Sequence, residues 1–394
     1  MSTTQALPAG FDRVRWGSLI AGVLGLALCG LGAMASPLQF YRSYLVAYAF
    51  WIGIALGSAA IVMLHHLVGG LWGYAIRRPL ESGAMTLPLM ALLFLPIALG
   101  VHELYPWAHP DAADHHPLIR HKLAYLNVPF FLARAGGYFV AWTAIAWLLR
   151  RWSVAQDRSD DPSLGRKLQT LSAPGMVVLF LTVTFAMVDW LMSLEPDWYS
   201  TIYGAMLMTG QVLTALAFTT IVATLASRSG PRPDLFAPSQ WNDLGNLLLA
   251  FVMLWTYMSF SQYLIIWSGN LVEEIPWYLR RTRGGWQWLA VIIIAFQFAL
   301  PFFVLLFRAA KRRAETLRNV AALIVVMQLV VTFWLVAPAY EGARFRLHWL
   351  DVAAPVGIGG IWVSSFLWLL GRHPLVPRDA PRVHAHAEHH AGAA

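Results

Sequence analysis

Residues 41–68 have the sequence YRSYLVAYAFWIGIALGSAAIVMLHHLV, an apolar run with one arginine near its start and two histidines near its end. Crossing the hydrocarbon of a bilayer as a helix takes about 20 apolar residues, so this run is long enough. A helix also satisfies its own backbone hydrogen bonds, which lipid cannot do. The stretch therefore predicts a transmembrane helix.

Nine further stretches share this character along the rest of the chain. The ten predicted spans are 16–35, 41–68, 83–104, 127–150, 172–194, 201–226, 241–268, 286–309, 317–338 and 351–371. Runs that alternate apolar and polar residues, as in a transmembrane barrel, do not occur. The sequence predicts an all-α polytopic membrane protein with residues 1–15 at the N-terminus and a disordered, His-rich tail at 372–394.

The composition agrees with a membrane protein and excludes several other classes. Of the 394 residues, 58% are hydrophobic and 12% charged, whereas about a quarter of a soluble domain is charged. We therefore interpret the net charge of +8 as a sign of topology and not as a nucleic-acid surface. The single cysteine, Cys29, excludes internal disulfides, thiolate-held iron–sulfur clusters and CxxCH haem attachment.

The distribution of positive charge predicts the side of each loop. When residues at the span ends are counted with the adjoining loops, 19 of the 28 Lys and Arg fall on the side of both termini, 8 fall on the opposite side, and Arg134 alone remains inside a span. Cytoplasmic loops carry the excess of Lys and Arg, so both termini are expected in the cytoplasm. We call the opposite ends of the helices, near Trp107, Trp198 and Trp277, the outer end, and the ends near the termini the inner end.

Two ionisable residues inside the spans are candidate functional residues, because a charge in hydrocarbon is costly. Arg134 and Asp189 both lie roughly 10 Å below the outer end, counted at about 1.5 Å per helical residue. Their spans are consecutive and antiparallel, so we expect the two side chains to pair. A structural and a proton-carrying role of this pair are both open.

Other polar residues complete a set of candidates for a proton path. Five lie near span ends or in a polar run: His65, His66, Asp243, Tyr257 and Gln262. Three glutamines near the midplane would connect the two ends: Gln211, Gln297 and Gln328. Hydroxyls and amides line water-filled paths or simply bond neighbouring helices, and both interpretations are open.

A further set at the outer end would suit a quinol head group. Its members are Tyr41, Arg42, His102 and Glu103. A quinone pocket needs an apolar channel and one or two polar partners. The histidines do not face each other at one depth, so we expect no b haem, and we expect no metal at His109, His115, His116 and His121 or in the tail.

Three stretches are more specific than composition: 64–73 (LHHLVGGLWG), 188–204 (VDWLMSLEPDWYSTIYG) and 262–278 (QYLIIWSGNLVEEIPWY). Together they resemble the ActF-type membrane subunits of bacterial alternative complex III, within the NrfD-like (polysulfide-reductase membrane-subunit) superfamily. The resemblance runs from about Trp16 to Leu370.

This resemblance implies an architecture, a function and partners. Two four-helix bundles, about 41–194 and 201–338, would have spans one and ten beside them. The complex oxidises quinol, such as menaquinol, in the bacterial inner membrane. The implied partners are a sister NrfD-like subunit, an iron–sulfur subunit, and multihaem and monohaem cytochrome c subunits.

The expected function is therefore that of a cofactor-free subunit, which scaffolds the complex and conducts protons. Haem c and iron–sulfur clusters would belong to the partner subunits. One alternative is a quinol-binding subunit with its own site at the outer end. Another is a stand-alone secondary transporter, although the matching pair of Gly/Pro-broken helices typical of transporters is missing.

Overall fold

The computed structural model describes residues 9–109, 117–159, 161–227, 236–341, 344–375 and 377, and within these ranges it consists of helices and connections without a β-strand. Ten helices in the described residues are long and apolar enough to cross a membrane, which confirms the predicted all-α, multi-pass class. They are α1 (Gly10–Ala35), α2 (Pro37–Val68), α3 (Leu71–Leu99), α4 (Val128–Gln156), α5 (Pro162–Leu194), α6 (Tyr203–Ser227), α7 (Pro238–Gly269), α8 (Trp286–Leu306), α9 (Ala314–Tyr340) and α10 (Leu350–Leu370).

The third span differs most from its prediction. Residues 69–82 were expected to form a cytoplasmic loop before a span at 83–104, but the helix begins at Leu71. It consists of the segments Leu71–Ala84, Leu87–Leu93 and Leu95–Leu99. The second and third segments each have a proline in their first turn. A proline is tolerated there because a backbone N–H in the first turn has no partner within the helix.

Several other helices extend beyond the predicted spans at the inner end. Helix α4 continues to Gln156 instead of ending at 150, and α5 begins at Pro162 instead of 172. The Asp161 side chain caps α5 by accepting the backbone N–H of Ser163 at 2.8 Å. These extensions carry polar residues that a hydropathy criterion excludes from a span. Apart from residues 372–375 and 377, the predicted tail at 372–394 lies outside the described residues.

Helices α2 and α6 form the centre of the molecule. In their most apolar segments 94% and 83% of the residues are buried, compared with 22% in α1. Helix α2 packs against α3, α5, α6, α9 and α10, and α6 packs also against α5, α7 and α9. Gly57 permits the central contact, because a Cβ there would overlap the backbone of Gln211.

Helices α1 and α10 pack closely against each other beside this centre. Gly22 and Gly25 of α1 face Gly357 and Gly360 of α10, and a Cβ on any of the four would overlap the opposite helix. Small residues of this kind let the backbones of two membrane helices approach and gain dispersion contacts. The pair reaches the rest of the protein through contacts with α2 and α3.

Candidate functional site

The predicted pair of Arg134 and Asp189 is confirmed. Nε and Nη2 of Arg134 donate to the two carboxylate oxygens of Asp189, each at 2.9 Å. The Tyr138 hydroxyl donates to the same carboxylate at 3.0 Å, and the Tyr125 carbonyl accepts from Nη1 of Arg134 at 2.9 Å. Asp189 is fully buried, so this bidentate pairing is what offsets the desolvation of its charge.

The start of α4 and the segment before it position this guanidinium. Asn127 caps α4 by accepting the backbone N–H of Phe130 at 3.0 Å. About two turns after Asn127, the guanidinium of Arg134 lies over the rings of Tyr125 and Phe130, 3.9 and 4.3 Å from their centroids. Burial, together with the Asp189 carboxylate, raises the pKa of Tyr125, so its hydroxyl stays protonated at neutral pH.

Gln262 belongs to a second network at the outer end. The Ser200 hydroxyl donates to Oε1 of Gln262 at 2.8 Å, and Nε2 of Gln262 donates to the Tyr278 hydroxyl at 3.2 Å. The rings of Trp198 and Trp277 stack with centroids 4.7 Å apart. The two longest specific stretches of the sequence, 188–204 and 262–278, therefore contact each other.

An ion pair that was not predicted strengthens this junction. Glu195 accepts from Nη2 of Arg281 at 2.8 Å and from Nη1 of Arg280 at 2.6 Å. Arg281 is fully buried and also donates to the carbonyls of Trp277 and Leu335. Burial lowers the pKa of Arg281, and the Glu195 carboxylate opposes that shift. Sequence reasoning assigned both arginines only to a loop, because nothing in their spacing relates them to Glu195.

A buried charge network at the inner end was also missed. Glu81 accepts from Nε of Arg77 at 3.1 Å and from Nη1 of Arg78 at 2.6 Å. The Ser153 hydroxyl donates to Glu81, and Arg78 pairs with Asp157, the residue that follows the last residue of α4. Glu81, Arg77 and Arg78 are all at most 3% exposed. This network fixes α3 to α4 away from water.

Arg150 extends the network toward α10. Its Nη1 donates to the Ser82 hydroxyl at 3.2 Å and its Nη2 to the Leu369 carbonyl at 3.0 Å. Arg77 and Arg78 thus lie on α3 and not in the loop expected at 69–82, and Arg150 lies within α4, so Arg134 is not the one buried cation of the long helices. Carboxylates, hydroxyls and carbonyls replace water around these arginines. The spacing of Glu81, three and four residues after two arginines on one helix, was the signal that could have revealed the network.

The two histidines of α2 lie at its inner end, as predicted, but differ in exposure. His65 is buried, with Nε2 3.2 Å from the Gly70 carbonyl, and His66 is partly buried. Gly69 and Gly70 have φ values of 72° and 102°, which confirms the tight glycine turn after the helix. The imidazole of His65 packs against Gly73, where a Cβ would overlap the ring.

Two of the proton-path candidates lie on the surface of the chain. Tyr257 of α7 is 66% exposed, and Asp243 near the start of the same helix is exposed as well. Only 22% of the most apolar segment of α7 is buried, so this helix presents most of its circumference outward. Neither residue joins the networks of Asp189, Gln262 or Glu81 described above.

A small cavity lies at the centre of the molecule. Its volume of about 30 Å³ is enough for about two water molecules. Gln211 of α6 and Gln328 of α9 line it, and within the described residues Oε1 of Gln211 and Nε2 of Gln328 have no hydrogen-bond partner. Gln297, the third predicted midplane glutamine, is fully buried in the π-helical segment Ile294–Ala299 but does not line this cavity.

The four candidates for a quinol site do not share one pocket. The Tyr41 ring packs against Gly100, and Nδ1 of His102 lies 2.9 Å from the Ala108 carbonyl. Glu103 is exposed. The guanidinium of Arg42 lies 4.8 Å from the ring centroid of Tyr340. It lines a cleft whose walls include none of the other candidates.

Across the described ranges, no three His, Cys, Asp or Glu side chains are arranged to hold a metal ion. His115, His116 and the tail histidines His384, His386, His389 and His390 lie outside those ranges. Comparison with known proteins adds no identity: no protein-family model matches the chain, and no curated protein matches it. The helices and polar networks are therefore the basis for a proposal about function.

Proposed function

We propose that this chain is a cofactor-free integral membrane subunit of a quinol-oxidising respiratory complex of the alternative complex III type. The contact between residues 188–204 and 262–278 is the observation that supports this most directly, because these stretches carry the resemblance to ActF-type subunits. Ser200 with Gln262 and Trp198 with Trp277 make one junction of the two stretches. Residues 188–204 and residues 262–278 therefore share one role, which is to hold this junction together at the outer end.

In this proposal the helices form two four-helix bundles, α2–α5 and α6–α9, with α1 and α10 beside them. The packing supports it, because α2, α3, α4 and α5 contact one another in a closed ring and α6, α7, α8 and α9 form a second ring. The contact of α2 with α6 joins the rings. The excess of Lys and Arg on the side of the termini supports a cytoplasmic location for both ends of the chain.

The proposed proton path uses polar groups at three depths. Asp189 lies toward the outer end, the cavity of Gln211 and Gln328 lies at the centre, and Glu81 lies toward the inner end. Met187, two residues before Asp189, accepts from Nε2 of Gln211 at 3.2 Å, so the outer group and the cavity are neighbours. Glutamine amides do not titrate, but they orient the water molecules that relay a proton.

The proposed setting is the bacterial inner membrane, with electron transfer located in other subunits. Quinol, such as menaquinol, is the substrate of the complex, and partner subunits hold the iron–sulfur clusters and haem c. In α4, α5, α7 and α8 only 22% to 33% of the most apolar segments are buried, which leaves apolar surface for a sister NrfD-like subunit and lipid. This subunit would then scaffold the assembly.

Purification in a mild detergent from native membranes, followed by mass spectrometry of the co-eluting proteins, tests the assignment. The expected result is co-elution with an iron–sulfur protein and with multihaem and monohaem cytochromes c. A matched preparation in which Arg281→Gln opens the outer junction should lose these partners. Recovery of the wild-type chain alone, as a monomer or homodimer, would contradict the proposal and favour a stand-alone transporter.

The proton role has a separate test in the reconstituted complex. Asp189→Asn should lower the number of protons released per quinol oxidised, because the amide cannot titrate, while the complex stays assembled. Asp243→Asn, at an exposed carboxylate, is the control and should leave that number unchanged. An unchanged proton number for Asp189→Asn, or dissociation of the complex, would remove Asp189 from the proton path.

A further inference from the structure

A cleft at the outer end lies between α9 and α10, over the surface of α2. Its walls combine residues from three helices and from the connection before α10: Gln39, Arg42 and Val46, then Phe333, Ala337 and Tyr340, and finally Arg346 and Asp351. This cleft is separate from the central cavity and from the Arg134–Asp189 network. It takes no part in the proton path proposed above.

The cleft changes from polar to apolar with depth. Helix α2 begins at the outer end, so Val46 lies one turn deeper than Arg42. Helix α9 ends there, so Phe333 and Ala337 lie deeper than Tyr340. The rim is therefore polar and the floor apolar. Amphiphilic molecules with a polar head and a hydrocarbon chain match that order.

The rim has a surplus of hydrogen-bond donors and positive charge. Nε of Arg42 and the hydroxyl of Tyr340 are buried, and neither has a partner in the part of the chain that the structure describes. Arg346 adds a second guanidinium from an exposed position. Arginine binds phosphate oxygens through paired, charge-assisted hydrogen bonds, and a tyrosine hydroxyl donates to the same group.

The one carboxylate in the lining, Asp351, is already engaged by other donors. It accepts from the Ser43 hydroxyl at 2.5 Å, from Nε2 of Gln39 at 3.4 Å and from the backbone N–H of His348 at 2.8 Å. Its charge is thus stabilised on the wall of the cleft by groups other than the two arginines.

We propose that this cleft binds the phosphodiester head group of an anionic phospholipid. Arg42 and Arg346 contact the phosphate oxygens, Tyr340 donates its hydroxyl, and an acyl chain continues along the exposed apolar surface of α10. Exposed Val352 and Val356 continue the apolar surface along α10 beyond Asp351. This exposed apolar surface favours a lipid over free phosphate, which would use the rim alone.

Lipid titration of the delipidated, full-length protein in detergent, followed by native mass spectrometry, tests this site. The probe is dioleoylphosphatidylglycerol. Arg42→Gln and Arg346→Gln should each weaken binding of the first lipid about tenfold, the size expected for losing a hydrogen bond to a charged group. Arg344→Gln is the matched control, since Arg344 is exposed in the same connection and does not line the cleft.

Two further titrations identify the source of the phosphate. Excess inorganic phosphate should leave the lipid bound, and neutral dioleoylglycerol should bind at least tenfold more weakly than the anionic lipid. Displacement by inorganic phosphate, equal binding of the neutral lipid, or equal weakening by Arg344→Gln would overturn the proposal, as would displacement by a quinone analogue. If Arg42→Gln does not fold, Arg346→Gln decides the question, because that side chain is exposed.

Discussion

Arg281 and Glu195 form an ion pair of 2.8 Å that joins the end of α5 to the segment after α7, across 86 residues of chain. The Arg281 side chain is fully buried. The neighbouring Arg280 donates to the other oxygen of the same carboxylate, but its side chain is 47% exposed. One carboxylate therefore has a buried and an exposed partner that are adjacent in sequence, which allows the two environments to be compared.

The first prediction concerns this pair of arginines. Arg281→Gln should destabilise the protein by about 3–5 kcal/mol, because it leaves a desolvated carboxylate without its buried partner. Arg280→Gln should cost less than about 1 kcal/mol, as is usual for an exposed ion pair. Thermal unfolding of both variants in the same detergent measures the difference. Equal shifts in the midpoint would show that the buried pair contributes no more than the exposed one.

The inner network gives the second prediction. Glu81→Gln should destabilise the protein by about 3–5 kcal/mol, because the buried Arg77 and Arg78 would lose the carboxylate to which both donate. High salt should not reproduce the effect in the wild-type protein, since salt screens buried pairs only weakly. Arg151→Gln, at an exposed neighbour of Arg150, is the control. A wild-type midpoint that falls in salt as far as the variant's would contradict this interpretation.

Hydropathy predicted the helices, and depth along consecutive helices predicted one contact. All ten predicted spans appear as helices. Lipid offers no hydrogen bonds to the backbone, and a single long apolar segment satisfies its own backbone groups by forming a helix. Arg134 and Asp189 were predicted to pair because two antiparallel neighbours bring equal depths together. Their 2.9 Å contacts confirm that argument.

Contacts that depend on helix rotation or on loops were not predictable in this way. A helix that is apolar on every side has no stripe that marks its buried face, so nothing in the sequence of α7 placed Tyr257 outward and Gln262 inward. Arginines near the end of a span look the same whether water or a carboxylate surrounds them. For that reason Arg77 and Arg78 were assigned to a loop.

The third prediction is a dependence of stability on pH from His373, which follows α10. Burial, and then the charges of Arg150 and Arg78, lower the pKa of His373. The unfolded chain therefore takes up a proton near pH 6.5, whereas the folded chain takes it up only at lower pH. The contribution of His373 to the free energy of unfolding should be fully present above about pH 6.5 and should decrease as the pH falls below that value.

Thermal unfolding on both sides of that pH measures this effect. His373→Gln should lose less stability on acidification than the wild-type protein does, because glutamine does not titrate. The comparison isolates one group, since every other titrating residue is common to both proteins. Parallel loss in the two proteins would assign the acid sensitivity to other residues.

The last prediction separates stability from proton movement at the central cavity. Gln211→Leu removes a buried amide whose Oε1 has no partner within the described residues, so the midpoint of unfolding should stay the same or rise. The same change removes a polar group that water in the cavity needs, so proton release per quinol should fall in the assembled complex. Gln297→Leu is the control, because Gln297 is also buried but does not line the cavity. If Gln211→Leu leaves the number of protons released per quinol unchanged in the assembled complex, the proton path lies outside the cavity.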